Sequence, residues 1–133
     1  MLNVKRIPTI LLLEEDNDVR ELLVESISSQ NYHVLVAVNQ ENIVDLFQNL
    51  IEPPDIFLVN QVKISLEEYL ATIRDIYQKN ILSADTPTVI LAERYPDYLT
   101  GTEKQLDDNI FIVYLKNAKQ LCDLFYRLLN NEQ

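Results

Sequence analysis

The sequence predicts a doubly wound α/β domain, a five-stranded parallel sheet of order 2-1-3-4-5 with helices on both faces. Three observations carry this. Short apolar runs alternate with segments of helical period five times along the chain. The runs are apolar throughout, as strands covered on both faces are, and do not alternate apolar with polar. The length of 133 residues suits one compact domain, spanning residues 1–133, with one core.

The elements follow in order. TILLL (9–13) is the first strand, and DVRELLVESISSQ continues as a helix with Val19, Leu22, Leu23 and Ile27 on one face. Asn31 stands where a left-handed residue must end that helix, a role asparagine fills best after glycine. HVLVAV (33–38) is the second strand, and ENIVDLFQNLI a helix facing inward through Ile43, Leu46, Phe47 and Leu50. Pro53 and Pro54 stop it, and DIFLVN is the third strand. LEEYLATIRDIYQ is a helix with Leu66, Leu70, Ile73 and Tyr77 inside, and TPTVILA (86–92) the fourth strand. Residues 93–108, charged and carrying Pro96 and Gly101, read as a short frayed helix between loops. NIFIVYL (109–115) is the fifth strand, and the last helix buries Ala118, Leu121, Cys122, Phe125 and Leu129. In a flavodoxin-like sheet of this order, ligands meet the carboxyl ends of the strands near the switch between strands 1 and 3.

Composition removes several functions. An apolar fraction of 47% is too high for a disordered acidic tail, despite a formal charge of −10. The densest basic spot is VKR at residues 4–6, so nucleic-acid binding by this domain alone is not expected. Cys122 is the only cysteine, which excludes an internal disulfide and a cysteine-based zinc site. His33 has no second histidine with which to share a metal. A single glycine, Gly101, rules out a Gly-rich phosphate loop. No apolar run is long enough to span a membrane and no signal-peptide pattern is present, so a cytoplasmic, membrane-free protein without a cofactor is expected.

ILLLEEDNDVRELL (10–23), PPDIFLVN, TPTVILA and IVYLK stand in the order and spacing of four motifs of one family. From about Pro8 to Leu129 the chain resembles the receiver domains of response regulators, the CheY-like family of two-component signal transduction. The resemblance implies a site. In an active receiver, an aspartate ending strand 3 takes up a phosphoryl group beside a magnesium ion held by two acids after strand 1. A Thr or Ser ending strand 4 and a Lys ending strand 5 contact that group, and an aromatic on strand 5 reports the change. Here the acceptor position falls on Asn60, the acids on Glu14 and Glu15, the hydroxyl on Ala92 and the lysine on Lys116. The switch aromatic falls on Val113, with Tyr114 one place out of register. The loop after Asn60 has neither the Pro nor the Gly usual in the family and is shorter.

These departures have chemical meaning. A neutral amide oxygen is far too weak a nucleophile to attack phosphorus. Asn60 also offers magnesium no charge, and Glu15 in place of aspartate displaces a ligand in a strict octahedron. Ala92 has no hydroxyl. The resemblance therefore implies a degenerate pseudo-receiver that is not an enzyme, holds no metal (Glu14 and Glu15 being the remaining candidates) and works by protein–protein contact in a signalling pathway, as a possible homodimer. Its vestigial pocket is Glu14, Glu15, Asn60, Ala92 and Lys116, with Lys116 expected to pair with Glu14 or Glu15 across the strand ends. Tyr114, Leu124, Tyr126 and Leu128 form the expected interface, while Asp16 and Asp18 read as caps of the first helix. The alternative is a sensor of a small molecule or cation in the remodelled pocket.

Overall fold

A computed structural model describes residues 6–39, 41, 43–61 and 65–130. Its elements are β1 (Thr9–Leu13), α1 (Asn17–Ser28), β2 (His33–Ala37), α2 (Ile43–Asn49), β3 (Ile56–Asn60), α3 (Leu66–Gln78), β4 (Thr88–Leu91), β5 (Glu103–Asp107), β6 (Ile110–Val113) and α4 (Ala118–Leu129). They form one sheet of order β2-β1-β3-β4-β6-β5. The first five places are parallel and reproduce the predicted 2-1-3-4-5 arrangement, with β6 in the fifth.

Successive side chains on these strands point to opposite faces, so each apolar run supplies two cores. Leu11, Leu13, Phe57, Val59, Ile110 and Ile112 pack beneath Ile43 and Phe47 of α2 and Tyr69, Ile73 and Ile76 of α3. Ile10, Leu12, Ile56, Leu58, Val89 and Val113 pack on the other face, beneath Ile27 of α1 and Leu121, Leu124 and Phe125 of α4. Truncating a fully buried side chain such as Phe125 to alanine in such a core costs about 3–5 kcal/mol.

The helices sit slightly rotated from their expected faces. On α1, Ile27 is buried while Leu23 and Val24 pack against the core, and Leu22 is 65% exposed. On α3, Tyr69 and Ile76 go inside beside Ile73, and Leu66, Leu70 and Tyr77 lie at the margin. On α4, Leu124 is a core residue, Ala118 is exposed and Cys122 half-buried. A period of 3.6 residues makes these stripes wide, and the position of the sheet decides which edge turns inward.

The helix ends were readable. Asp16 caps α1 by accepting from the N–H groups of Asp18 and Val19, and Asp18 lies in the first turn, where a negative charge suits the helix dipole. Asn31 follows α1 with φ 68°, the left-handed conformation expected of it, and Asn80 does the same after α3 with φ 58°.

Residues 93–108 do not form the frayed helix expected of them. They make one 3-10 turn at Asp97–Leu99 and then β5, antiparallel to β6. Gly101, with φ 85°, turns the chain back into the sheet by donating its N–H to the carbonyl of Tyr114 at 2.7 Å. The hydrogen-bonding capacity of β6's open edge outweighs the poor strand propensity of Glu-Lys-Gln-Leu-Asp. Arg127 of α4 pairs with Glu103, and Arg74 of α3 reaches Asp107 at 3.6 Å, so both ends of β5 are tied to a helix.

Beneath this hairpin Tyr77 is the main polar fastening. Its hydroxyl donates to the Thr86 carbonyl at 2.5 Å and lies 2.8 Å from Oγ1 of buried Thr88. Burial pushes that hydroxyl from the ordinary 10.0 up to about 12. A group whose folded value is raised stabilises the fold below its unfolded value and loses that contribution as the pH climbs through the folded one. Tyr77→Phe is expected to lower the unfolding free energy by about 1–3 kcal/mol at neutral pH. It also flattens the alkaline loss of stability between pH 10.0 and about 12, which urea melts across that range measure.

Candidate functional site

The carboxyl ends of β1, β3, β4 and β6 deliver Glu14, Asn60, Ala92 and Tyr114 to one end of the sheet. Glu14 follows β1 directly, and its N–H donates to the carbonyl of Ala37 at 3.3 Å, extending the ladder with β2. It is 1% exposed. A carboxyl group taken out of water needs hydrogen-bond donors to replace it. Oε2 accepts the backbone N–H of Asp16 at 3.2 Å, and Oε1 accepts Nδ2 of Asn60 in a short contact. The Asn60 amide thus stands across from Glu14 as its donor.

α1 adds a further contact to the loop that carries Glu14. Arg20 reaches back one turn past the cap, donating through Nη1 to the Glu14 carbonyl at 2.9 Å and through Nη2 to Asn17. This pins the loop between β1 and α1. Sequence reasoning missed Arg20, whose only signal was its place on the inner stripe of the first helix. Glu15 is half-buried beside Glu14. Ala92 is also half-buried and uses its N–H to bond the Val113 carbonyl at 3.0 Å, so it adds a methyl group and no polar atom.

Val113 is fully buried against the α1–α4 core. Tyr114 turns to the other face, edge-on to Tyr95 with ring centroids 5.1 Å apart, and the Tyr95 hydroxyl donates to the Leu115 carbonyl at 2.9 Å. The aromatic at the end of the strand is therefore held in a two-ring cluster.

Lys116 departs from expectation. It is exposed, and among the described residues it forms no ion pair with Glu14 or Glu15. Its stem lies along Gly101, where a Cβ on the glycine would meet Lys116 Cδ at 3.6 Å. The hairpin leading into β5 gives the lysine this neighbour, and the lysine follows the apolar contact. A groove of about 350 Å³ on that side is lined by Lys116, Gly101, Glu103, Asn117 and Gln120, with neither Glu14 nor Asn60.

Of the expected interface, Leu124 is 3% exposed and contributes to the core instead; Leu128 and Tyr114 are half-buried. Tyr126 remains, at 57%. Cys122 borders a groove with Ser26 of α1 and Ser29 just after it, where burial and then Asp123 push its thiol above the usual range, the opposite of activation. The shortened loop after Asn60 falls on residues 62–64, outside those described.

The donor set does not suit a magnesium ion. Both oxygens of Glu14 already accept N–H donors, and Asn60 turns an amide nitrogen toward it. Among the described residues no three His, Cys, Asp or Glu side chains gather closely enough to hold a metal, and no helix is long and apolar enough to cross a membrane.

No family model matches the sequence, and no curated protein matches it. Solved structures do match. A response regulator from Thermotoga maritima superposes with a TM-score of 0.71 at 17% identity, over 94% of this chain and 99% of that one. A CheY-like response regulator receiver domain protein from Methanospirillum hungatei gives 0.68 at 17%, over 96% and 98%. The receiver domain of a Francisella response regulator gives 0.70 at 14%, over 95% and 99%. The fold is that of receiver domains, with an antiparallel strand where a crossover helix was expected.

The Asn60–Glu14 bond makes two variants informative. Asn60→Ala leaves Oε1 of Glu14 without its donor and is expected to cost about 1–3 kcal/mol. Asn60→Asp sets two carboxyl groups together, raising the folded pKa of one above its unfolded value. That variant is expected to lose stability as pH rises and regain it on acidification, where a shared proton restores the bond. Urea melts of all three proteins at about pH 5 and about pH 8 measure this. Equal stabilities at both would show that Asn60 is not held against Glu14.

Proposed function

We propose that the chain is a phosphorylation-independent pseudo-receiver, a signalling module that acts by contact with other proteins and has no turnover of its own. The observation that carries this reading is the hydrogen bond from Asn60 to buried Glu14. At the position where the resemblance puts a phosphoacceptor, an amide serves as the built-in partner of the neighbouring acid, and an amide is no nucleophile. Ala92 adds a second departure, since no hydroxyl stands there to bind a phosphoryl oxygen. The site is satisfied internally: no buried side-chain N or O among the described residues lacks a partner.

The contact surface we assign to a signalling partner is the outer side of α4 and the connection before β5, where Tyr126 and Tyr98 are 57% and 82% exposed. A protein of formal charge −10 favours basic partners over nucleic acid or an anionic membrane surface. A cytoplasmic setting within a two-component pathway follows from the same reading.

One observation favours the second reading, a cation or small-molecule sensor. The stem of Lys116 lies along Gly101 and, among the described residues, its side chain makes no ion pair with Glu14, so the lysine does not stand in for a cation beside that acid. An amide NMR titration separates the two. With magnesium alone, and then with magnesium and beryllofluoride as a phosphoryl mimic, the pseudo-receiver is expected to show no shifts at Glu14, Asn60, Ala92 or Tyr114. Shifts at Glu14, Glu15 and Asn60 with magnesium alone would assign a cation site. A change spreading across the sheet with beryllofluoride would overturn the proposal, because the switch would still work.

A further inference from the structure

The sheet has two open edges, and they are built differently. The outer strand at one end, β5, carries Glu103, Lys104 and Asp107, is kinked by a bulge between Gln105 and Asp107, and is tied by Arg74 and Arg127. These are the devices that keep an edge from pairing with another chain. The outer strand at the other end, β2, has none of them. Residues Ser26 to Gln40 contain no Asp, Glu, Lys or Arg, the longest such stretch in a chain of net charge −10. Along it Leu35 is 40% exposed, Val36 37% and Val38 50%.

Alternate residues of a parallel strand bond to the same neighbour. The His33 N–H donates to Pro8 at 2.9 Å, and the Ala37 carbonyl accepts from Glu14 at 3.3 Å, both toward β1. Val34 and Val36 therefore direct their N–H and C=O groups to the open side, where no described strand pairs with them.

We propose that this edge pairs with the β2 strand of a second copy of the chain, antiparallel about a twofold axis beside Leu35, giving one sheet through two molecules. Three observations select this occupant. A strand is what unsatisfied edge groups recognise. Two copies that each carry a net charge of −10 repel over most of their surface, and the uncharged β2 stretch is where they can meet without opposing carboxylates. Pairing of β2 with β5 of another copy, which would run on into a filament, is blocked by the charges and bulge of β5, so the self-complementary pairing remains and closes as a dimer. With the axis beside Leu35, the Leu35 side chains of both copies cover each other on one face, and each Val34 exchanges backbone bonds with the other copy's Val36. The inference does not depend on the reading of the pocket, none of whose residues lies on β2.

Sedimentation velocity across a dilution series, with amide hydrogen exchange at the same concentrations, tests it. The expected result is a species of twice 15.5 kDa whose Val34 and Val36 amides are protected, both dimer and protection being lost together on dilution. Val36→Lys is expected to abolish the dimer while leaving the circular dichroism spectrum unchanged. Should that variant unfold, the exchange of the native chain still decides. A monomer at every concentration, or a dimer whose Val34 and Val36 amides exchange freely, overturns the proposal. Protection that appears only when a different protein is added also overturns it and gives the edge to a foreign strand.

Discussion

Glu14 is 1% exposed, and the carboxyl end of the sheet is arranged around supplying it with what water would have supplied. Leaving one buried acceptor unpaired costs about 1–3 kcal/mol, a large share of the stability of a small domain. Two backbone and side-chain donors meet that demand. Asp16 turns its N–H back toward Glu14 because, as the cap of α1, it lies outside the helix with an extended backbone. Asn60 supplies the other donor from the end of β3, one strand away. Arg20 then grips the Glu14 carbonyl, so the start of α1 and the end of β1 are held by the residue between them. Asn60 is thus a neutral donor held against the acid from the neighbouring strand.

Much of this was legible in the sequence. Five apolar runs at regular spacing define the parallel sheet because strands covered on both sides cannot tolerate polar residues. The places of Glu14, Asn60, Ala92 and Lys116 after the strands were legible for the same reason: each is the first polar or small residue after such a run. Directions of side chains were not. Lys116 follows its strand by three residues, and its stem lies along Gly101, a neighbour created by the turn into β5. Leu124 looked like a flank residue because α4 has apolar residues around a wide arc, including Leu121, Leu124, Phe125, Leu128 and Leu129, and only the docked sheet distinguishes inside from outside. The largest error, at 93–108, has a similar origin. Nothing in Glu103–Asp107 asks to be a strand; the unpaired edge of β6 recruits it.

The two ends of the sheet also divide the work of the surface. The β5 end carries ion pairs to α3 and α4 and presents tyrosines, which suit recognition by side chains. The β2 end presents backbone groups and short aliphatic side chains without charge, which suit recognition by another strand. Glu14 and Asn60, bonded to each other, lie between them.

The antiparallel strand that replaces a crossover helix changes how this region can move. A helix resting on a sheet is held by contacts between side chains, which have no fixed direction, so it can slide or rotate by fractions of a residue. A strand inside a ladder is held by directional bonds and keeps its faces only when it moves by two residues, a step of about 6.8 Å. β5 therefore has no small displacements available to it. Whatever passes through this edge of the molecule passes as all or nothing: the hairpin is in register, or it is detached.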